Sequence, residues 1–128
     1  MAPQAQPLEE LGYHVLELVK NGVRAARRVE VGVLFRADLV EVVVMDDGDG
    51  IDDLDTALLM STGQGHGLQG ALDFADWLCL ETQGRRFAKS SRQGVLREVG
   101  RSQLRKGTRI DLVKLRQGNQ ALVTRRDT

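Results

Sequence analysis

The sequence has one cysteine, Cys79, which excludes an internal disulfide framework and any cysteine-rich zinc site. Two histidines, His14 and His66, are too few for a dedicated transition-metal site. No apolar run approaches the ~20 residues that span a bilayer, so no membrane association is expected. The opening MAPQAQPLEE lacks the basic and then apolar stretch of a secretory leader, and a cytoplasmic location is expected. A net charge is missing too, since 18 basic and 18 acidic side chains cancel. The cancellation hides a split. Residues 1–84 carry five basic and fifteen acidic side chains, whereas residues 85–128 carry thirteen and three. Such asymmetry can mark an anion or nucleic-acid surface. Only one aromatic, Phe87, lies in the basic part, which leaves little for base stacking, so nucleic acid is not expected as a partner. Mutual neutralisation of the two halves in one fold is the plainer account.

What remains is a chain of 128 residues, 41% hydrophobic, long enough for one core. Residues 1–7 hold both prolines and read as a loose arm. Residues 8–28 read as a helix, with Leu8, Leu11, Val15, Leu18, Val19, Gly22 and Ala26 on one arc. Strands follow at 29–36, with Val29, Val31, Val33 and Phe35 on one face, and at 40–46; the two should form a hairpin. Residues 54–60 are a short helix at best, 61–66 a Gly-containing flexible stretch, and 67–76 a second real helix. Further strands are expected at 77–83, 85–91, 95–99 and 108–115. The tail, 116–128, is expected to fray or add an edge strand. The order predicts an α+β, two-layer sandwich, with helices packed on one face of a mixed, mainly antiparallel sheet.

Three stretches carry candidate chemistry. In the first helix, Glu17, Asn21 and Arg24 stack along one side, opposite the apolar arc. Taken alone they read best as a wet helix face. Taken functionally, a carboxylate orients water, an amide oxygen binds a hard cation and a guanidinium holds phosphate. The second stretch is Asp46-Asp47-Gly48-Asp49-Gly50. Asp46 ends an inward stripe of Val40, Val42 and Val44, so its carboxylate needs donors, which the exocyclic amine of a base supplies. Gly48 and Gly50 let the backbone bend and a flat ring come close. An acidic turn is the ordinary alternative; a calcium loop fits less well, because Ala57 stands where the twelfth-position Glu belongs. The third stretch is Gly63-Gln64-Gly65-His66-Gly67-Leu68, a phosphate cradle in principle, since it opens a helix. It is not a Walker loop, because no Lys-Ser/Thr follows the glycines. A weaker feature is Gly107-Thr108, which sets Thr108 on the face of Ile110 and Leu112, beside Asp46.

The order of these pieces, ELVKN in a helix, DDGDGI after a strand, GQGHGL before a helix and GT before a strand, resembles the GHKL ATPase superfamily, most of all its small stand-alone histidine-kinase-like bacterial members. The resemblance covers residues 8–115, as one ATP-binding domain. It implies bound ATP and magnesium, with Asn21 on the metal, Arg24 at phosphate and Glu17 as general base. It also implies Asp46 on the adenine amine, Gly48 and Gly50 beside the base, Gly65, Gly67 and Leu68 at the lid and phosphates, and Thr108 near adenine. The expected activity is slow ATP hydrolysis or phosphorylation of a regulatory protein partner. A non-catalytic nucleotide sensor is the alternative, favoured by the absence of Lys or Arg between Asp46 and Leu72. A nucleic-acid-binding module using residues 85–128 is a second. His14 reads as packing rather than as a phosphoacceptor. Nothing in the sequence sets an oligomeric state.

Overall fold

The structure is a computed structural model and describes residues 5–62 and 67–116. Helix α1 (Ala5–Ala25) is followed by strands β1 (Val29–Phe35) and β2 (Leu39–Asp46). Helices α2 (Leu54–Thr62) and α3 (Gly67–Phe74) come next. Strands β3 (Trp77–Thr82), β4 (Arg85–Lys89), β5 (Arg97–Arg101) and β6 (Thr108–Leu115) complete the chain. The six strands form one sheet in the order β1-β2-β6-β3-β4-β5. Every pairing among them is antiparallel, in keeping with the mainly antiparallel sheet expected, with no parallel pair among the described strands.

Period-two alternation builds the buried face of this sheet. Val40, Val42 and Val44 of β2, Ile110 and Leu112 of β6, and Leu78 and Leu80 of β3 are buried beneath the helices. Leu11 and Leu18 of α1 and Leu68, Ala71, Leu72 and Phe74 of α3 close the core from above. Each fully buried leucine contributes roughly 1.5–3 kcal/mol. The central strands are those richest in apolar residues on that face. Strand β6 enters between β2 and β3, so the last strand of the sequence becomes a middle strand of the sheet.

Several boundaries differ from the sequence reading. Helix α1 begins at Ala5, inside the expected arm, and stops at Ala25 rather than at 28. Pro7 falls in its first turn, where no intrahelical partner exists for the missing N–H. Arg27 and Arg28 are drawn off the helix because their backbone amides donate to Asp47 Oδ1, both at 3.0 Å. Helix α2 starts where expected, capped by Asp53, whose Oδ1 accepts from Thr56 N at 3.1 Å and Oδ2 from Thr56 Oγ1 at 2.6 Å, and runs two residues further than expected, to Thr62. These bonds hold the Asp53 carboxyl below its ordinary range. Strand β5 starts at Arg97, two residues after the expected start. In the stripe on β1, Val31, Val33 and Phe35 are 44%, 47% and 61% exposed, whereas Val29, which meets Gly22 of α1, is half-buried.

Two buried lysines fasten the C-terminus of α3. Lys89 Nζ donates to the carbonyl of Leu72, and Lys114 Nζ donates to the carbonyl of Phe74 at 3.0 Å. Lys114 also lies 3.6 Å from Asp76 Oδ2 and 4.4 Å over the Phe74 ring. Cations suit these carbonyls, which carry the negative end of the helix dipole. Burial nonetheless pushes the Lys89 pKa below its ordinary value, with Asp73 and Asp76 opposing the shift. The unfolded chain therefore binds this proton more tightly than the folded one. Stability should rise with pH from the lowered folded value up to the unfolded one, about 10.4. Urea midpoints should climb in the parent relative to Lys89→Met as pH is raised toward the unfolded value of about 10.4; equal slopes would show that Lys89 does not titrate with folding.

Candidate functional site

The register of three strands sets polar groups in a row. Asp46, at the end of β2, lies opposite Thr108, the first residue of β6, and Thr108 lies opposite Thr82, the last residue of β3. All three side chains share the helix-covered face. Thr82 Oγ1 and Thr108 Oγ1 are 3.2 Å apart, and Thr82 Oγ1 also accepts from Ile51 N at 2.7 Å. Thr82 is 1% exposed, and its hydroxyl thereby ties the loop after β2 to the sheet. Sequence reasoning missed this residue. The available signal was its position two residues beyond Leu80, at the end of an inward stripe.

Asp46 is half-buried, and its Oδ1 accepts from Gly48 N at 2.9 Å. The neighbouring Asp47 points away and serves structure. The Arg28 and Arg27 amides hold its carboxyl below the usual carboxylate range, with a smaller contribution from Lys106. Gly50 has φ +87°, and a Cβ there would meet Thr82 Oγ1 at 2.8 Å. Gln83 Nε2 donates to the Asp49 carbonyl at 2.6 Å and fixes the same loop. Gly107, at φ +83°, runs so close to the backbone of Asp46 that a Cβ would stand 1.8 Å from its carbonyl oxygen.

Over this row lies a cavity of about 110 Å³, lined by Leu18, Asn21, Gly22, Val44, Asp46, Gly50, Ile51, Leu68, Thr108 and Ile110. That is space for several water molecules in an otherwise apolar chamber. Among the candidates, Asn21, Asp46, Gly50, Leu68 and Thr108 meet here. Asn21 is exposed, on the face where the sequence places it, and still reaches the cavity, since it follows buried His14 by two turns and Leu18 by one. Gly22 brings α1 down onto the sheet, since a Cβ would meet Val29 Cγ2 at 2.9 Å.

Arg24 and Gly48 line a second, polar cavity of about 610 Å³ together with Ala26, Arg27, Asp47, Asp49 and Lys106. Glu17 lines neither cavity; its Oε2 lies 3.4 Å from Lys20 Nζ. Gly67, buried with φ +72°, opens α3 beside Leu68. Gly65 lies outside the described residues. Among the described residues no group of three or more His, Cys, Asp or Glu could hold a metal ion by itself. No helix among them is long and apolar enough to cross a membrane.

No protein-family model and no curated protein matches the chain. Solved structures do resemble it. The 43K ATPase domain of Thermus thermophilus gyrase B, in complex with an aminocoumarin, is 24% identical with a TM-score of 0.54, over 79% of this chain and 33% of that one. The Aquifex aeolicus MutL ATPase domain, complexed with ADP, is 23% identical with a TM-score of 0.52, over 88% and 44%. At these identities the likeness is one of fold, and this chain spans less than half of either neighbour.

The contact between Gly107 and Asp46 generates a stability test. Gly107→Ala combines a left-handed φ with an unyielding backbone contact, and should cost at least about 2 kcal/mol. Gly84→Ala, also at positive φ but with open space around it, should cost about 1–2 kcal/mol and less than the first. Denaturant unfolding of both variants measures the difference; equal losses would mean that the close approach does not shape the site.

Proposed function

Starting from the fact that this chain has the fold of the GHKL ATPase domains, we propose that it binds ATP with magnesium in the cavity beneath α1. The supporting observation is the convergence of Asp46, Gly50, Asn21, Leu68 and Thr108 on one small apolar chamber. Among the described residues that line it, Asp46 is the one carboxylate. One of its oxygens already accepts the Gly48 amide, which leaves acceptor capacity for the exocyclic amine of adenine. Val44, Ile51, Leu68 and Ile110 give the ring apolar faces, and Gly50 admits its plane. The Thr108 hydroxyl offers a donor to a ring nitrogen. The phosphates extend toward Asn21 and the start of α3, where the helix dipole favours negative charge. Arg24 stands at the neighbouring polar cavity as a further cation.

Magnesium fits this set in a limited way. It keeps several waters and takes one or two protein oxygens beside substrate phosphates, which matches a lone Asn21 Oδ1. The ion would supply charge neutralisation at the phosphates. The residues' own part is to hold the base, to place Asn21 beside the phosphate end and to shield the ring from water. The nucleotide-binding unit is 8–115 together with the earlier start of α1. Glu17, one turn before Asn21, is proposed as general base for slow hydrolysis, or for phosphate transfer to a regulatory protein partner in the cytoplasm. A second reading, nucleotide sensing without turnover, is favoured by the pairing of Glu17 with Lys20, away from both cavities.

Calorimetry with ATP, and with GTP as control, tests the proposal. ATP should bind the parent and GTP poorly, because the guanine carbonyl offers Asp46 no donor. Asp46→Asn should weaken ATP by about tenfold to a hundredfold, the scale of an unsatisfied buried polar group, while keeping the fold. Glu17→Ala should keep affinity within about tenfold and lower any turnover by ~10²–10⁴. An Asp46→Asn protein with unchanged ATP affinity would remove Asp46 from the site. Turnover in Glu17→Ala equal to the parent's would remove the general base.

A further inference from the structure

The two edges of the sheet are built differently. Strand β5, at one edge, carries Arg97, Glu98 and Arg101, and the β4–β5 ladder is irregular at Arg86/Phe87. Charges and irregular register are devices that discourage edge pairing. Strand β1, at the other edge, has sequence VEVGVLF and pairs all seven residues with β2 without interruption. Val31, Val33, Leu34 and Phe35 are 44%, 47%, 49% and 61% exposed. Among the described residues no strand pairs with its outer side.

The geometry points to a second copy of this chain on that edge, joined in a two-fold antiparallel pairing centred on Val33. The backbone sets which groups are available. Arg36 N–H donates to the Leu39 carbonyl, and Asp47 N–H donates to the Arg28 carbonyl. Even-numbered residues of the strand therefore turn their amides toward β2, and Val31, Val33 and Phe35 turn theirs outward. A two-fold pairing centred on Val33 opposes outward residues with outward residues: Val33 with Val33, and Val31 with Phe35.

The side chains are complementary in the same register. Glu30 falls opposite Arg36 of the second copy at both ends, in the pair type where side chains approach most closely. Leu34 falls opposite Gly32, around which no atom lies within 4 Å of where a Cβ would be. On the other face, Val31, Val33 and Phe35 sit opposite Val44, Val42 and Val40 of the same chain, so the pairing would extend the apolar face of each sheet into its partner. Arg36 already lies 2.5 Å from Glu41 and would bridge the two carboxylates. The interface is isologous and closes at two copies.

Sedimentation equilibrium of the full chain, from low micromolar upward, is the test, with circular dichroism confirming the fold of each variant. A dimer is expected. Val33→Lys, which sets two ammonium groups at the two-fold axis, should leave a monomer. Glu30→Arg and Arg36→Glu alone should each weaken the dimer at least about tenfold, because two like-charge pairs replace two opposite ones. Mixing those two variants should restore it, since each heterodimer regains both opposite pairs. Should Val33→Lys fail to fold, the charge variants and their mixture decide the matter. A full chain that stays monomeric overturns the proposal, as does a dimer that survives Val33→Lys or shows no rescue on mixing. A chain ending at Arg116 that dimerises while the full chain does not would assign the edge to residues 117–128, and also overturns it.

Discussion

The backbone of Gly107 lies against the backbone of Asp46, and the site depends on that contact. It starts β6 level with the end of β2 and so places Thr108 opposite Asp46. Strand β3 then brings Thr82 into the same row, and Thr82 holds the Ile51 amide of the loop above. A side chain at position 107 would push β6 away from β2 and separate the carboxylate from the hydroxyls. The left-handed φ of Gly107 and of Gly50 is the local cost of bringing strand ends and loop together. Gly50 lines the cavity, and Gly107 directly precedes Thr108, which does too.

The helices complete the chamber by different means. Helix α1 comes close because Gly22 has no side chain to hold it off Val29, and this closeness puts Asn21 at the rim. Helix α3 is held at its C-terminus by Lys89 and Lys114 while its N-terminal Leu68 lines the cavity. One end is thus anchored in the core, and the other faces the space where the phosphates are proposed to lie.

Much of this was legible in the sequence. The valine stripe of β2 gave its buried face and its end at Asp46, and the alternation of Thr108, Ile110 and Leu112 gave the face of β6. The spacing could not reveal that β6 runs between β2 and β3, because strand order depends on contacts far apart in the chain. The helix wheel put Asn21 with Glu17 and Arg24 on a wet stripe, and Asn21 is exposed, but the wheel could not show that this position also reaches a cavity over the sheet. His14, read as packing, is buried against the Phe74 ring. The lysine anchors were hidden for a similar reason: a charged residue in a strand reads as solvent-facing until a helix terminus is set above it. The alternation in β1 set Val29, Val31, Val33 and Phe35 on one face, as the register has it. It could not tell that Val31, Val33 and Phe35 stay exposed, because alternation identifies a face and not what covers it.

The central claim is that one nucleotide occupies the chamber over Asp46, Thr108 and Thr82. Amide chemical shifts of the labelled protein, followed while ADP and magnesium are added, test it most directly. The account predicts saturable shifts concentrated at Asn21, Gly22, Gly48, Gly50, Ile51, Leu68 and Thr108, with β4 and β5 unmoved. Saturable shifts confined to the basic surface of β4 and β5, or no shifts at millimolar ADP, would contradict it.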